Sequence, residues 1–299
     1  MATIIEEIKE QLNRPNNTLI KLIILNVAVF LVFAVAKVIL TISSFGDIYS
    51  LIATQIALPA FWLESLYKPW TYLSYGFFHE DIFHLLFNML FLYTFGKLVN
   101  EYLGSNRVLA IYLLGAIAGG LFYVLCYNLI PYFIPKSAYS ILLGASASVF
   151  AIVMAAATLL PDYSFNFMFI GQIKIKYIAA FYLVLSFIST VGLNAGGNLA
   201  HLGGGLLGYI FITQLRKGND LGKPVYAVVG FISKLFSPKP NLRVTYRNNE
   251  YKSQPSTSNP NPSTKSLVDV DDILDKISKS GYESLTKEEK QRLFEASQK

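Results

Sequence analysis

Ala200-His201-Leu202-Gly203-Gly204-Gly205-Leu206-Leu207-Gly208 is the stretch on which the reading of this chain turns. Gly204 and Gly208 stand one helical turn apart and give a helix a flat face, the device by which membrane helices approach one another closely. A histidine opens the run, and a histidine within an apolar span is costly enough to be a functional candidate by default. The surrounding composition points to lipid as the solvent. Of 299 residues, 53% are hydrophobic and 15% charged, where an ordinary soluble domain carries about 25% charged residues. Long stretches between Leu19 and Ile212 hold almost no charge, so lipid surrounds most of that region.

Working outward from this run, six apolar spans are expected, over about 19–42, 82–100, 107–129, 145–160, 177–193 and 199–215. The fold class is therefore an all-α membrane protein, a six-transmembrane-helix bundle. The fourth and sixth spans fall short of the roughly 20 residues a bilayer requires. Short spans need neighbours around them, which suggests two shielded central helices with room for water above. The first span begins near Thr18 and is too long for a signal-peptide core, so it reads as a membrane helix that also targets the chain. Lys9, Arg14, Lys21, Lys97, Arg107, Lys174, Lys176, Arg216, Lys217 and Lys223 gather on one side, against Lys68 and Lys136 on the other. That asymmetry places both termini, including the segment 1–18, in the cytoplasm. Lys37 inside the first span is the exception, which snorkelling accommodates. The net charge of +6 sits beside apolar segments, so it sets topology and meets lipid headgroups; no nucleic acid partner is expected. The single cysteine, Cys126, can form neither an internal disulfide nor a thiolate cluster and reads as a small buried hydrophobe.

Beyond the spans the composition changes. Residues 219–240 form a tether or an interfacial helix, and 241–266, rich in Asn, Pro, Ser and Thr, read as a disordered linker. Residues 267–299 form a helical tail. Val268, Val270, Ile273, Leu274 and Ile277 suit one helix face, Gly281 can end that helix, and Thr286 with Glu289 forms a capping box for a second helix through Ala296. So small a pair buries little core and is expected to dock or regulate.

The chemistry lies in three places. Gly144-Ala145-Ser146-Ala147-Ser148 opens the fourth span. It is either a small-residue packing motif or a serine set among unpaired helix-terminal N–H groups that can hold an oxyanion. His201 could be held against Ser146 and supply the base that a serine hydroxyl needs. No carboxylate lies in the fifth or sixth span, so the residues allow a Ser–His dyad rather than a triad. His84 and Asn88 share one face of the second span at i, i+4 and could complete an oxyanion hole. His79-Glu80-Asp81-Ile82-Phe83-His84 superficially suggests a metalloprotease helix. Its histidines are five apart, however, or roughly 140° around a helix, and no intramembrane aspartate offers a third ligand. No metal and no cofactor are expected.

These residues together resemble the rhomboid family of intramembrane serine proteases. Gly144-Ala145-Ser146, Ala200-His201 with Gly204 and Gly208, and His84 through Asn88 carry the likeness; Trp70, Glu101 and Gly104-Ser105 also match. The resemblance implies that residues 19–218 form a catalytic domain of the bacterial type, resident in a bacterial inner membrane. Its partners are then the bilayer and the transmembrane protein substrates it cleaves. Ser146 is implied as nucleophile and His201 as general base; His84, Asn88 and the Ser146 amide hold the oxyanion, and His79 lines the water-accessible cavity. The tail is similar to those of some bacterial rhomboids, without a defined role. Two positions depart from the family: Ala147 stands where glycine is usual, and Thr71 where arginine often follows the tryptophan. The alternative is an inactive rhomboid-like protein that binds client membrane helices. Ala147 permits it; the presence of Ser146, His201, His84 and Asn88 argues against it. A transporter would require two halves with matching broken helices, which the chain lacks.

Overall fold

Each expected span is a helix. The structure, a computed structural model, describes residues 3–167, 171–236 and 262–297, and the chain divides into two units, Met1–Pro238 and Lys239–Lys299. The first unit opens with α1 (Ile4–Asn13), started by a capping box between Thr3 and Glu6. It continues through α2 (Thr18–Ile42), α3 (Gly46–Ile56), β1 (Leu58–Pro59), α4 (Trp62–Tyr67), α5 (Thr71–Ser74), α6 (Ile82–Leu103) and α7 (Ser105–Leu129). Then follow β2 (Ile141–Leu142), α8 (Ser146–Leu159), β3 (Ser164–Phe167), β4 (Gly171–Lys174), α9 (Ile175–Ile188), α10 (Ala195–Arg216) and α11 (Lys223–Phe236). Helices α2, α6 and α7 are long and apolar enough to cross a membrane.

The fourth span is short as expected, but the sixth is not. Helix α10 runs 22 residues and α9 only 14. The difference lies in Ala195-Gly196-Gly197-Asn198, which has too little hydropathy to register as a span. Its first turn is nevertheless packed: Ala195, Gly197 and Leu199 are buried, and a side chain at Gly196 would lie 2.8 Å from Tyr123 Cε2.

Helix α8 is the centre of the bundle. Nine of its fourteen residues are buried, whereas α2 buries only Leu19, Leu22 and Asn26 over twenty-five. A central helix made largely of Ala, Ser and Val lets its neighbours come to backbone contact. On the α10 side, a Cβ added at Gly204 or Gly208 would stand 2.1 Å from the carbonyl oxygen of Ala147 or Ala151. On the α7 side, one added at Gly115 or Gly119 would stand 2.6 Å from the Cβ of Ala151 or Ala147. The peripheral α2 is pinned by a polar bond suited to a site without water. Buried Asn26 donates to Tyr112 Oη at 3.0 Å, and Tyr112 donates to the Gly76 carbonyl at 2.9 Å. Lys37 reaches the ring of Tyr49 in α3, 5.6 Å from its centroid, which accommodates the lysine near the end of its helix.

Two short pairings complete this unit. β1 and β2 run antiparallel, with Leu58 opposite Leu142 and Pro59 opposite Ile141, so the first long loop is tied directly to the segment entering α8. β3 and β4 form an antiparallel hairpin with Ser164 opposite Lys174. Outside it, Asp162 accepts from Lys174 and Lys176, both at 2.9 Å. Those two ammonium groups hold its carboxyl down at about 2.

The second unit holds α12 (Pro262–Ser280) and α13 (Lys287–Ser297). Positions 241–261 of the expected linker lie outside the described residues. Residues 262–266 belong to α12, which starts earlier than 267 because proline suits the first turn of a helix. Gly281 ends α12 at φ +79°. Thr286 and Glu289 exchange the expected capping bonds, at 2.7 and 3.3 Å. Lys276 reaches Glu289 at 2.8 Å, beside buried Ile273 and Leu285. Leu274, expected on the packed face, is half exposed.

Candidate active site

The site is built around the start of α8, and its first requirement is a glycine. Gly144 has φ +110°, a conformation in which side chains are strained, and a Cβ there would lie 2.6 Å from Cε1 of His84. The His84 ring thus rests on the backbone that leads into Ser146. Two amides ahead of the serine are held by the segment entering α6: Gly144 N donates to the Tyr75 carbonyl at 2.9 Å, and Ala145 N to His79 Nε2 at 3.2 Å. Among the described residues, the next two amides, of Ser146 and Ala147, make no loop or capping hydrogen bond. Ser146 is therefore half-buried at the positive end of a helix, with unpaired donors beside it.

His201 comes from the second turn of α10. Its ring stacks on Phe150, with centroids 4.1 Å apart and planes 7° apart. Phe150 lies four residues after Ser146, on the same face of α8, so the stack carries the imidazole to the serine's side. One turn further along α10, Gly204 seats the helix against the Ala147 carbonyl. On the other side, His201 Nδ1 meets Ser186 Oγ of α9 at 3.1 Å. Phe150, Tyr182, Ser186 and His201 face a cleft of about 640 Å³ among α8, α9 and α10. Among the described residues Ser146 Oγ makes no hydrogen bond, to His201 or to any other group; such contacts are commonly loose before substrate binds. Ser148 is fully buried, with its hydroxyl unpaired among the described residues. It faces away from the cleft, near Gly76.

His79 departs from its expected place. It is 1% exposed and is not among the residues that line the cleft beside His201. It is a buried brace whose Nε2 accepts the Ala145 amide and so carries its proton on Nδ1. It is buried because the Tyr75–His79 segment passes beneath the start of α8, which neither sequence spacing nor hydropathy reports. Asn88 Nδ2 donates to the His84 carbonyl at 3.0 Å, which fixes the orientation of its amide, and lies 3.3 Å from His79 Nε2. The structure thus brings His79, His84 and Asn88 to the Gly144–Ser146 turn, with the asparagine amide committed to the brace. Sequence reasoning missed Tyr75, Phe150 and Ser186. Of these only Ser186 carried a signal, as a polar residue within an apolar span.

Every one of these side chains falls within residues 67–218, which match the Rhomboid domain family. The chain belongs to the rhomboid family. It is 29% identical to RHOMBOID-like protein 12, mitochondrial, of Arabidopsis thaliana, over 50% of this chain and 47% of that one. It is 26% identical to the presenilin-associated rhomboid-like protein, mitochondrial, of Bos taurus, over 46% of this chain and 36% of that one. The corresponding human protein is 25% identical over 46% and 35%. This rhomboid therefore spans less than half the length of these curated relatives. Residues 265–299 match a family of unknown function, DUF6576.

The two positions at which this rhomboid departs from its family have local accommodations. The Ala147 methyl faces Gly119 of α7, whose missing side chain leaves the space. At Gly204 the contact is with Ala147 backbone, which a methyl does not change. In the first loop Thr71 Oγ1 donates to the Lys68 carbonyl at 2.6 Å. The loop is anchored by Trp70 Nε1 on the Gln55 carbonyl and Ser74 Oγ on that of Ile56, each at 2.8 Å.

Proposed function

We propose that this rhomboid is an intramembrane serine endopeptidase that cuts transmembrane segments of other membrane proteins, with Ser146 as nucleophile and His201 as general base. One observation carries the reading: His201 stacks on Phe150, one turn along α8 from Ser146. His201 Nε2 takes the hydroxyl proton as Ser146 Oγ attacks the scissile carbonyl. The oxyanion meets the free Ser146 and Ala147 amides and the His84 imidazole, which rests on Gly144. Collapse of the adduct expels the amine, which His201 protonates; water activated by the same imidazole then releases the acyl group from Ser146. Asn88 supports the oxyanion site through His79 and the His84 carbonyl, and reaches the oxyanion itself only by releasing one of them. No cofactor enters this scheme.

The test is a set of alanine substitutions in detergent-solubilised protein. Ser146→Ala and His201→Ala should each abolish cleavage of a transmembrane substrate, and the double variant should be little worse than either, because a catalytic unit is strongly non-additive. His84→Ala and Asn88→Ala should cost on the order of 10²–10³ in kcat or less. The second reading, a rhomboid-like protein that binds client helices without cutting, is favoured by the missing Ser146–His201 hydrogen bond. A wild type that binds substrate helices but neither cuts them nor labels at Ser146 with a serine-directed phosphonate establishes it.

The six helices α2, α6, α7, α8, α9 and α10 are proposed to span a bacterial inner membrane with both termini cytoplasmic, on the lysine and arginine asymmetry. Residues 19–218 are the catalytic domain and 267–299 a docking or regulatory tail. Helix α11, whose Val228, Phe231, Ile232 and Leu235 are exposed, is the interfacial segment within 219–240. In a Cys126→Ala background, cysteines at Ser43 and at exposed Tyr139 should react with an impermeant thiol reagent from outside, and one at Ser256 should not. The opposite pattern overturns the orientation.

A further inference from the structure

Ser186 sits near the end of α9 within Leu183-Val184-Leu185-Ser186-Phe187-Ile188 and is 4% exposed. A hydroxyl buried in an apolar span is costly unless it is paired, and its partner is His201 Nδ1 at 3.1 Å. The dyad scheme assigns this contact no part. Yet a histidine on α10 has two side-chain torsions to settle, and two different helices settle them. Phe150 of α8 fixes the plane of the ring by stacking 4.1 Å away, within 7° of parallel. It leaves the ring free to turn or flip within that plane. Ser186 of α9 removes that freedom by fixing which nitrogen faces α9.

The choice of nitrogen decides the chemistry. A histidine that takes the Ser146 proton at Nε2 must hold its own hydrogen on Nδ1, because a neutral imidazole has one donor and one acceptor. A hydroxyl oxygen beside Nδ1 accepts that hydrogen, and still accepts it when Nε2 has been protonated. A carboxylate would do the same more strongly, but as a buried charge without a cation to pair it. A serine in this position orients the base without that penalty.

We propose that Ser186 is the positioning residue for His201. Its Oγ accepts the Nδ1 hydrogen, selects the tautomer whose Nε2 lone pair is free, and turns that nitrogen toward Ser146. This rests on the reading of Ser146 and His201 as the catalytic pair, and adds to it a third helix, α9, on which the competence of the base depends.

The test uses the full chain in detergent micelles or proteoliposomes, with wild type, Ser186→Ala, Ser186→Val and Ser186→Thr. Two quantities are read: steady-state cleavage of a transmembrane substrate, and the ¹⁵N spectrum of histidine-labelled protein. The three histidines are assigned by single substitution. The wild type should show His201 in the Nδ1–H form. Ser186→Ala and Ser186→Val should show a mixture of tautomers and lose roughly 10–10²-fold in kcat with little change in KM, part of what a general base contributes. Ser186→Thr keeps the hydroxyl and should restore both the tautomer and most of kcat, although it matches Ser186→Val in shape. His201 in the Nε2–H form in wild type, or Thr and Val variants that behave alike in the spectrum, overturns the proposal. If Ser146 neither labels nor cuts in wild type while the tautomer follows Ser186 as stated, the protease reading fails and the positioning contact stands.

Discussion

Gly203-Gly204-Gly205 in α10 allows the helix packing to be tested one methyl at a time. A Cβ at Gly204 would lie 2.1 Å from the Ala147 carbonyl oxygen and 2.9 Å from its carbon. The closest comfortable C···O approach is about 3.3 Å, so the added methyl is about 1.2 Å too deep. The obstructing atoms are backbone of the central helix and have no rotamer by which to yield. Helix α10 must retreat from α8 by about 1 Å, and His201, three residues earlier, retreats with it. Overpacking of this kind costs about 1–3 kcal/mol, and a misplacement of about 1 Å at a catalytic group costs about 10²-fold in rate. Gly204→Ala is therefore expected to remain folded, with lowered resistance to SDS in mixed micelles and a kcat about 10²-fold down. Gly205 is the internal control: a Cβ there meets side-chain atoms and no backbone, Met154 Cγ at 3.1 Å and Leu183 Cδ1 at 3.7 Å, and the unbranched methionine can yield by rotation. Gly205→Ala should keep both stability and turnover, helped by the better helix propensity of alanine. Reversible unfolding in mixed micelles and cleavage of a transmembrane substrate, run on the same preparations, read the two effects. A Gly204→Ala protein equal to wild type in both, or a Gly205→Ala protein as damaged as Gly204→Ala, refutes the close approach of α8 and α10.

Four further outcomes are expected. Gly208→Ala meets the Ala151 carbonyl oxygen at 2.1 Å and should lose as much stability as Gly204→Ala. It should lose less activity, because it lies one turn further from His201; unfolding and turnover measured together check this. Gly144→Ala sets a side chain at φ +110° against the His84 ring, a strain of order 1–3 kcal/mol. Adding His84→Ala should return part of the stability and none of the activity in the same assays. A double-mutant cycle on Asn26→Ala and Tyr112→Phe should give a coupling of roughly 0.6–1.7 kcal/mol, the range for polar bonds between membrane helices. In the tail, hydrogen bonds from Lys276 and then from the Thr286 amide hold the Glu289 carboxyl below its ordinary range. A carboxylate lowered in the folded state stabilises fully above its unfolded value of about 4.3 and loses that contribution as pH falls through the lowered one. Amide protection in the first turn of α13, taken relative to the intrinsic exchange rate at each pH, should therefore fall on acidification below about pH 4, and much less so in Glu289→Gln.

The solvent of this chain, its helices and its candidate residues were legible in the sequence for one reason: each is a property of consecutive residues. Hydropathy adds along a segment, so α2, α6 and α7 began and ended within a few residues of where they were expected. The Thr286–Glu289 cap and the stop at Gly281 are likewise local, and both formed. The same locality explains the error at α10, whose first turn is packed but, being glycine-rich, is not apolar. What only the tertiary structure decided concerns side chains far apart in the chain. His79 was set against Ala145, 66 residues away, and became a buried brace rather than part of the cleft beside His201. The Ala147 methyl was turned toward Gly119 of α7 rather than toward α10. Phe150 and Ser186 were delivered to two sides of His201 from two different helices. Each of these depends on the rotation of a helix about its axis and on how closely two axes approach. A helix turns about 100° per residue, so a one-residue change in rotation presents a different side chain to the same neighbour. Composition leaves that rotation open; the packing of small residues on α8 against glycines on α7 and α10 settles it.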